Sequence, residues 1–174
     1  MIGNKLKLLF GATLLFTCGA SAEEQTSYSV EFGNRSHRNC SFIGSPVDFC
    51  DPSFQREFDI ALATREPDFN HDMIVVAIDT RPQYEQKALA AISVSSKKVY
   101  PLPFDHFSSS FSKTDAVGPG RITYALADDR VCIDGAIMAY RSVQSGHMCW
   151  RFSGDKFTGE QTPYTYADEW LKNE

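Results

Sequence analysis

The sequence predicts an α+β fold, mainly β: a twisted antiparallel sheet laid out as a meander, with one N-terminal helix packed on it. Three observations carry this expectation. Short stretches with strand period or strand-length apolar runs recur between breaks rich in Gly, Pro, Asn and Asp. Only one stretch has helical spacing together with a start signal. The last third, residues 121–159, holds the longest β-like patterning, with polar turns between its apolar segments.

The helix is expected from Pro52 to about Arg65. Asp51 is suited to accept a free backbone N–H as N-cap, and Pro52 at the first helical position needs no donor. Phe54, Phe58, Ala61, Leu62 and Arg65 then follow helical spacing, which turns both phenylalanines toward the sheet, and Pro67 ends the helix. Ahead of it, residues 28–32 alternate like a strand, and residues 35–49 read as a loop tied by Cys40 and Cys50.

After the helix, residues 73–78 (MIVVAI) form a continuous apolar run of strand length, the mark of a buried strand. Residues 79–86 read as a loop, 87–94 as a strand, Ser95-Ser96-Lys97 as a tight turn and 98–102 as its partner strand, with Pro101 and Pro103 at an edge. Residues 105–120 form the longest irregular segment, with Phe104, Phe107 and Phe111 as anchors. Residues 122–126 and 131–140 are expected as strands. Residues 141–146 should loop back into a third strand over 147–152, followed by a turn before Phe157. In that third strand Met148, Trp150 and Phe152 share the core face, and His147, Cys149 and Arg151 the other. A hairpin turning within 141–146 sets Tyr140 near His147 and carries Cys132 well past Cys149. A direct bridge between those cysteines then needs a register break, for which Gly135 is the obvious place.

Residues 1–22 read as a secretory signal. Lys5 and Lys7 precede the apolar run 8–16, and Ala20-Ser21-Ala22 forms a small-residue cleavage site before Glu23. The run is too short to span a membrane, which takes roughly 20 apolar residues. Cleavage leaves residues 23–174, 174 minus 22 or 152 residues, as a single disulfide-containing domain in the periplasm or beyond it. Removing Lys5 and Lys7 from the 17 basic residues leaves 15 against 22 acidic ones, a net charge of −7. The mature chain has no basic run, so nucleic acid is not an expected partner, and its acidity suits a basic protein partner.

Four cysteines remain: Cys40, Cys50, Cys132 and Cys149. In an exported chain an even count reads as two disulfides, with three possible pairings. The local pairing, Cys40–Cys50 with Cys132–Cys149, is expected despite the register problem. Each bridge would contribute about 3 kcal/mol on the chain-entropy model. The spacings are wide and no C-x-x-C pair occurs, so neither a metal nor a cofactor is expected.

Several segments occur in a suggestive order. Pro67-Asp68-Phe69-Asn70-His71-Asp72 precedes a hydrophobic strand. Lys97-Lys98-Val99-Tyr100-Pro101-Leu102-Pro103 comes next, then Asp128-Asp129-Arg130-Val131 and a late aromatic–Gly–Phe strand. The order resembles a group of small exported bacterial proteins that pair a "PNFAGHY"-like segment after a helix with a "TGKVY-LP"-like hairpin and a "DSRLL"-like strand. The likeness covers residues 54–157 and implies strand order and compartment, with no activity. Where those proteins carry a Gly/Cys-rich stretch after the first strand, this chain has Asp79-Thr80-Arg81-Pro82-Gln83-Tyr84.

Two function classes follow. The first is a non-enzymatic exported protein that binds another protein, in the manner of an immunity or inhibitor protein. Its contacts would come from the loops 79–86 and 105–120 and the acidic turn beside them, through Tyr84, His106, Phe107, Asp128 and Asp129. The second is a small periplasmic hydrolase using His71, with Asp68 or Asp72 orienting the imidazole as a general base. Asp-x-x-His-Asp is equally ordinary turn composition, and no G-x-S-x-G, H-E-x-x-H or phosphate-binding glycine loop occurs.

Overall fold

The computed structural model describes residues 28–111 and 118–159; the expected signal segment, and residues 112–117 of the expected long loop, lie outside them. The fold is α+β and mainly β, one helix against a curled mixed sheet. In chain order the elements are β1 (Ser29–Val30), β2 (His37–Arg38), β3 (Ser41–Phe42), α1 (Pro52–Thr64) and β4 (Met73–Arg81). A 3-10 turn (Pro82–Tyr84) leads to β5 (Gln86–Ser93), β6 (Lys98–Pro101) and β7 (His106–Ser108). The chain then forms β8 (Arg121–Thr123), β9 (Arg130–Ala139), β10 (Ser142–Ser153) and β11 (Lys156–Gly159).

The helix forms as its sequence requires. Asp51 caps it by accepting from Ser53 N at 2.8 Å, and Pro52 opens the first turn. Phe54, Phe58 and Ala61 lie on one buried stripe packed toward β4. Tyr28 joins this layer, its ring edge-on to Phe58 at 5.7 Å and its hydroxyl donating to Asp59. Phe32, Phe42, Phe49 and Phe54 continue as a chain of edge-on aromatic contacts, which seats the irregular N-terminal segment on the helix.

Strand β5 is the centre of the sheet, buried along most of its length. One edge pairs with β4 throughout. The other is shared, with β6 against Ala90–Ile92 and β7 against Lys87. Strand β9 repeats the arrangement, with β10 along one edge and β7 and β8 dividing the other. Short β7 therefore joins two halves of the sheet. The sheet departs from a purely antiparallel meander at β1, which pairs parallel with β6.

Three expected loops contain more structure than their composition signals. Residues 79–86 shrink to a single 3-10 turn, because β4 continues through Arg81 and β5 begins at Gln86. The beginning of segment 105–120 is β7, with Phe104 and Phe107 fully buried. The expected return loop 141–146 is strand: the hairpin turns at Tyr140 and Arg141, and Ser142 already pairs with Ala139. That turn uses Tyr140 at φ 59°, a left-handed conformation for which Gly or Asn is the usual signal. Conversely, the strand expected over 122–126 stops at Thr123, and Leu126 is exposed.

Moving the turn removes the register problem. With Ser142 opposite Ala139, Cys149 falls directly opposite Cys132 without any bulge, and the Cα atoms stand 4.1 Å apart. Gly135 is not a register break. It pairs with Gly146, and its missing side chain admits β7, since a Cβ there would stand 2.4 Å from the Ser108 carbonyl oxygen. The structure forms both local disulfides, Cys40–Cys50 and Cys132–Cys149. No helix among the described residues is long and apolar enough to cross a membrane.

Candidate functional site

A cleft of about 350 Å³ opens where three distant parts of the sequence meet. One wall is the segment Pro46, Val47 and Asp48 with Asp51, Ser53 and Phe54 at the start of α1. The other is the end of β4, Asp79, Thr80 and Arg81, with His106 of β7 beside it. The disulfide to Cys40 ties down Cys50 within the first wall's segment, and Asp48 accepts from Cys50 N at 2.9 Å. The bridge thus holds an otherwise irregular stretch against the sheet.

His106 is 3% exposed and has an assignable tautomer. Thr80 spends its hydroxyl proton on the Gln86 carbonyl oxygen at 3.0 Å, so at 2.8 Å from His106 it accepts from Nδ1–H. Nε2 is then a buried lone pair with no hydrogen-bond partner among the described residues. Burial, reinforced by the Arg81 charge, lowers the His106 pKa to about 4, so the ring is neutral at neutral pH.

The remaining polar groups of the cleft are mostly committed. Asp51 and Ser53 form the helix cap, Asp79 pairs with Lys87, and Thr80 is held as above. The Thr80 hydroxyl lies against the His106 imidazole, but its proton goes to the Gln86 carbonyl and not to the ring, so the pair is not arranged as nucleophile and base. Arg81 is exposed and makes no ion pair among the described residues. Three carboxylates against one guanidinium leave the cleft acidic. Its wall runs on into the 3-10 turn, where Glu85 in the left-handed region closes the corner and Tyr84 stands 52% exposed.

The residues singled out from sequence divide into two groups. His106 and the segment 79–86 do come together, through Thr80. Phe107 is beside them in β7 but fully buried, between Lys87 of β5 and Ile137 of β9, and His106 is a wall residue instead of an exposed anchor. Asp128 and Asp129 lie elsewhere. The Asp128 carbonyl accepts from Asn70 N, just ahead of β4, whereas the cleft is at the far end of that strand. Nine residues of strand place the two ends about 25–30 Å apart. Both acids are also partly neutralised, Asp128 by Arg130 and Asp129 by Arg151.

His71 is exposed in a tight turn at φ 64°, its N–H bonded to the Leu126 carbonyl. Its flanking carboxylates are engaged elsewhere. Asp68 accepts from Val75 N and pairs with Arg65. Asp72 accepts from Ser93 and Ser95; burial opposes its ionisation, but these hydrogen bonds outweigh that and hold its pKa below the usual value. No hydrogen bond links the His71 ring to either carboxylate.

Sequence reasoning missed Asp48, Asp51 and Ser53 as cleft residues and reached Asp79, Thr80 and Arg81 only as part of the expected contact loop 79–86, because no spacing rule joins segments 46–54, 79–81 and 106. It also missed a second constellation on the outer face of the β9–β10 hairpin. There His147 Nδ1 lies 2.6 Å from Asp134 Oδ1, and Nε2 lies 3.3 Å from Cys149 Sγ. The alternation already placed His147 and Cys149 on one face, but the expected late turn kept Asp134 out of register. Comparison with protein-family models, curated proteins and solved structures finds no match.

Proposed function

We propose that this chain is an exported, non-enzymatic protein that binds another protein, in the manner of a periplasmic immunity or inhibitor protein, and that the acidic cleft with its Tyr84 rim is its recognition centre. The observation that carries the reading is the state of the cleft's polar groups. Its hydroxyls are committed to structural bonds, its histidine is buried and neutral, and the groups left for a partner are exposed Arg81 beside an acidic wall and, in the 3-10 turn that follows it, exposed Tyr84. Tyrosine and arginine on a rigid turn are characteristic anchors of protein interfaces, and excess carboxylate favours a basic side chain from the partner. The hydrolase alternative has less support, because Asp68 and Asp72 serve the turns around His71 instead of its ring.

Affinity capture from a periplasmic extract tests the reading when wild type is compared with folded Tyr84→Ala, Asp79→Lys and His71→Ala variants. A specific partner should be retained by wild type and His71→Ala and weakened at least tenfold by Tyr84→Ala, the effect of losing one interface anchor worth about 2 kcal/mol. Asp79→Lys should weaken capture most at low salt. Undiminished capture by both cleft variants rejects the cleft, and a hydrolytic activity abolished by His71→Ala alone rejects the binding reading.

A further inference from the structure

We infer that the Cys132–Cys149 disulfide exchanges stoichiometrically with dithiols, a reactivity beside the binding role and without turnover, with His147 as its proton donor and acceptor and Asp134 as the residue that positions the ring. The inference is independent of the cleft. It rests on a juxtaposition along one exposed sheet face. Cys132 and Asp134 of β9 point outward between buried Val131 and Ile133, and His147 and Cys149 of β10 point outward beside buried Met148 and Trp150. In the observed register Asp134 faces His147 and Cys132 faces Cys149, so the four side chains form a square. The contacts run in one direction: Asp134 Oδ1 to Nδ1 at 2.6 Å, then Nε2 to Cys149 Sγ at 3.3 Å. This is the order of carboxylate, imidazole and sulfur that activates a thiol. Arg121 of β8 stands opposite Asp134, and Arg151, paired with Asp129, lies two residues beyond Cys149, so two further cations border the site.

The other disulfide supplies the contrast. Cys40 and Cys50 have Asp48 as their ionisable neighbour, its carboxylate within 4.8 Å of the sulfurs. A fixed negative charge there disfavours both the approach of a thiolate and the departure of one, whereas an imidazolium favours both. Opening Cys132–Cys149 also leaves the hairpin paired, because the backbone ladder from Arg130 to Ala139 does not depend on it.

The reaction balances as a two-electron exchange. A substrate thiolate attacks Cys132 Sγ, the S–S bond breaks, and its electron pair goes to Cys149 Sγ, which takes a proton from Nε2–H of the imidazolium. The substrate's second thiolate then attacks its own sulfur in the mixed disulfide and releases Cys132 as thiolate, which is protonated from solvent. The dithiol is oxidised to a disulfide, and the protein disulfide is reduced to two thiols. In the reverse direction neutral Nε2 accepts the Cys149 proton, and Cys149 attacks a substrate disulfide.

The test uses the full chain and dithiothreitol at limiting concentration and pH 7, with acid quenching, alkylation and peptide mapping. Cys132–Cys149 should open about tenfold faster than Cys40–Cys50, and His147→Gln should remove that advantage while leaving the Cys40–Cys50 rate unchanged. Equal rates in wild type, or an unaffected rate in His147→Gln, overturn the inference. A second measurement separates activation from mere exposure. In Cys132→Ala the remaining Cys149 keeps its 3.3 Å contact to His147 Nε2, whereas in Cys149→Ala the remaining Cys132 stands within 4.8 Å of the ring without that direct contact. Iodoacetamide should alkylate Cys149 about tenfold faster than Cys132 at pH 7, and equal alkylation rejects the role of His147.

Discussion

Because His106 is held neutral by burial and by the Arg81 charge, its pKa falls from 6.5 to about 4, and that shift links folding to pH. Between those values the unfolded chain binds a proton that folded His106 refuses. Stability contributed by the neutral ring is therefore complete above about pH 6.5, declines as the pH falls through the window, and is lost below about 4. A shift of this size is worth about 3 kcal/mol. Urea titrations from pH 7.5 to 4 should show that slope in wild type and not in a folded His106→Gln variant. An identical slope in both would assign the acid sensitivity to other groups. The carboxylates with lowered values, among them Asp72 and Glu31, act in a lower window, because their contribution is lost only as the pH falls below the ordinary carboxylate range. His106 also shows what a residue-scale reading delivers. Its place in a polar, Pro-flanked stretch was legible from the sequence. Its burial was not, because the partners that cover it, Thr80 and Met138, come from strands remote in sequence.

At the scale of elements, legibility followed the strength of the local signal. The helix carries its own cap and stop, and its expected and observed limits differ by one residue. The apolar run that became β4 was equally plain at its start, but its last residues, Asp79 to Arg81, are polar and belong to the strand only because β5 pairs with them. The first half of β10 failed for a related reason. Its residues are mostly exposed, so no burial alternation marks them, and a turn built on Tyr140 has no Gly or Asn to announce it. Gly135 shows how topology sets a residue choice that pattern alone misreads. Its φ of 150° and the Ser108 oxygen 2.4 Å from a built Cβ are backbone constraints, so neither can be relieved by a rotamer change. Gly135→Ala should cost about 2–4 kcal/mol, the sum of backbone strain and overpacking, and should loosen β7 against β9. Denaturant unfolding with amide exchange at Phe107 and Ser108 measures both effects. A neutral substitution with unchanged exchange would mean that β7 does not depend on that close approach.

For the molecule as a whole, the decisive feature is that the sheet curls until its last strand meets the segment ahead of β4. Phe157 of β11 stacks on Phe69 at 5.9 Å and 21°, and both are fully buried. Phe152 adds an edge-on contact to Phe157 at 5.3 Å, and Tyr100 of β6 one to Phe152 at 4.9 Å. Phe69 and Phe157 are 88 positions apart and Tyr100 and Phe152 are 52 apart, so no local pattern announced these contacts, although the core-face alternation of Trp150 and Phe152 did indicate where an inner surface lay. The seam has a thermodynamic consequence distinct from ordinary burial. Phe69→Leu and Phe157→Leu each keep an apolar side chain in place and should cost about 1–2 kcal/mol through imperfect filling. If direct ring contact holds the two ends of the sheet together, the double variant should cost less than the sum of the singles. The difference should be about 0.5–1.5 kcal/mol, the usual coupling of an aromatic pair. Urea unfolding of the four proteins in one buffer, with a common m-value, gives that coupling directly. Strict additivity would mean that the rings fill separate parts of the core, and that backbone pairing through β7 and β9 closes the sheet without them.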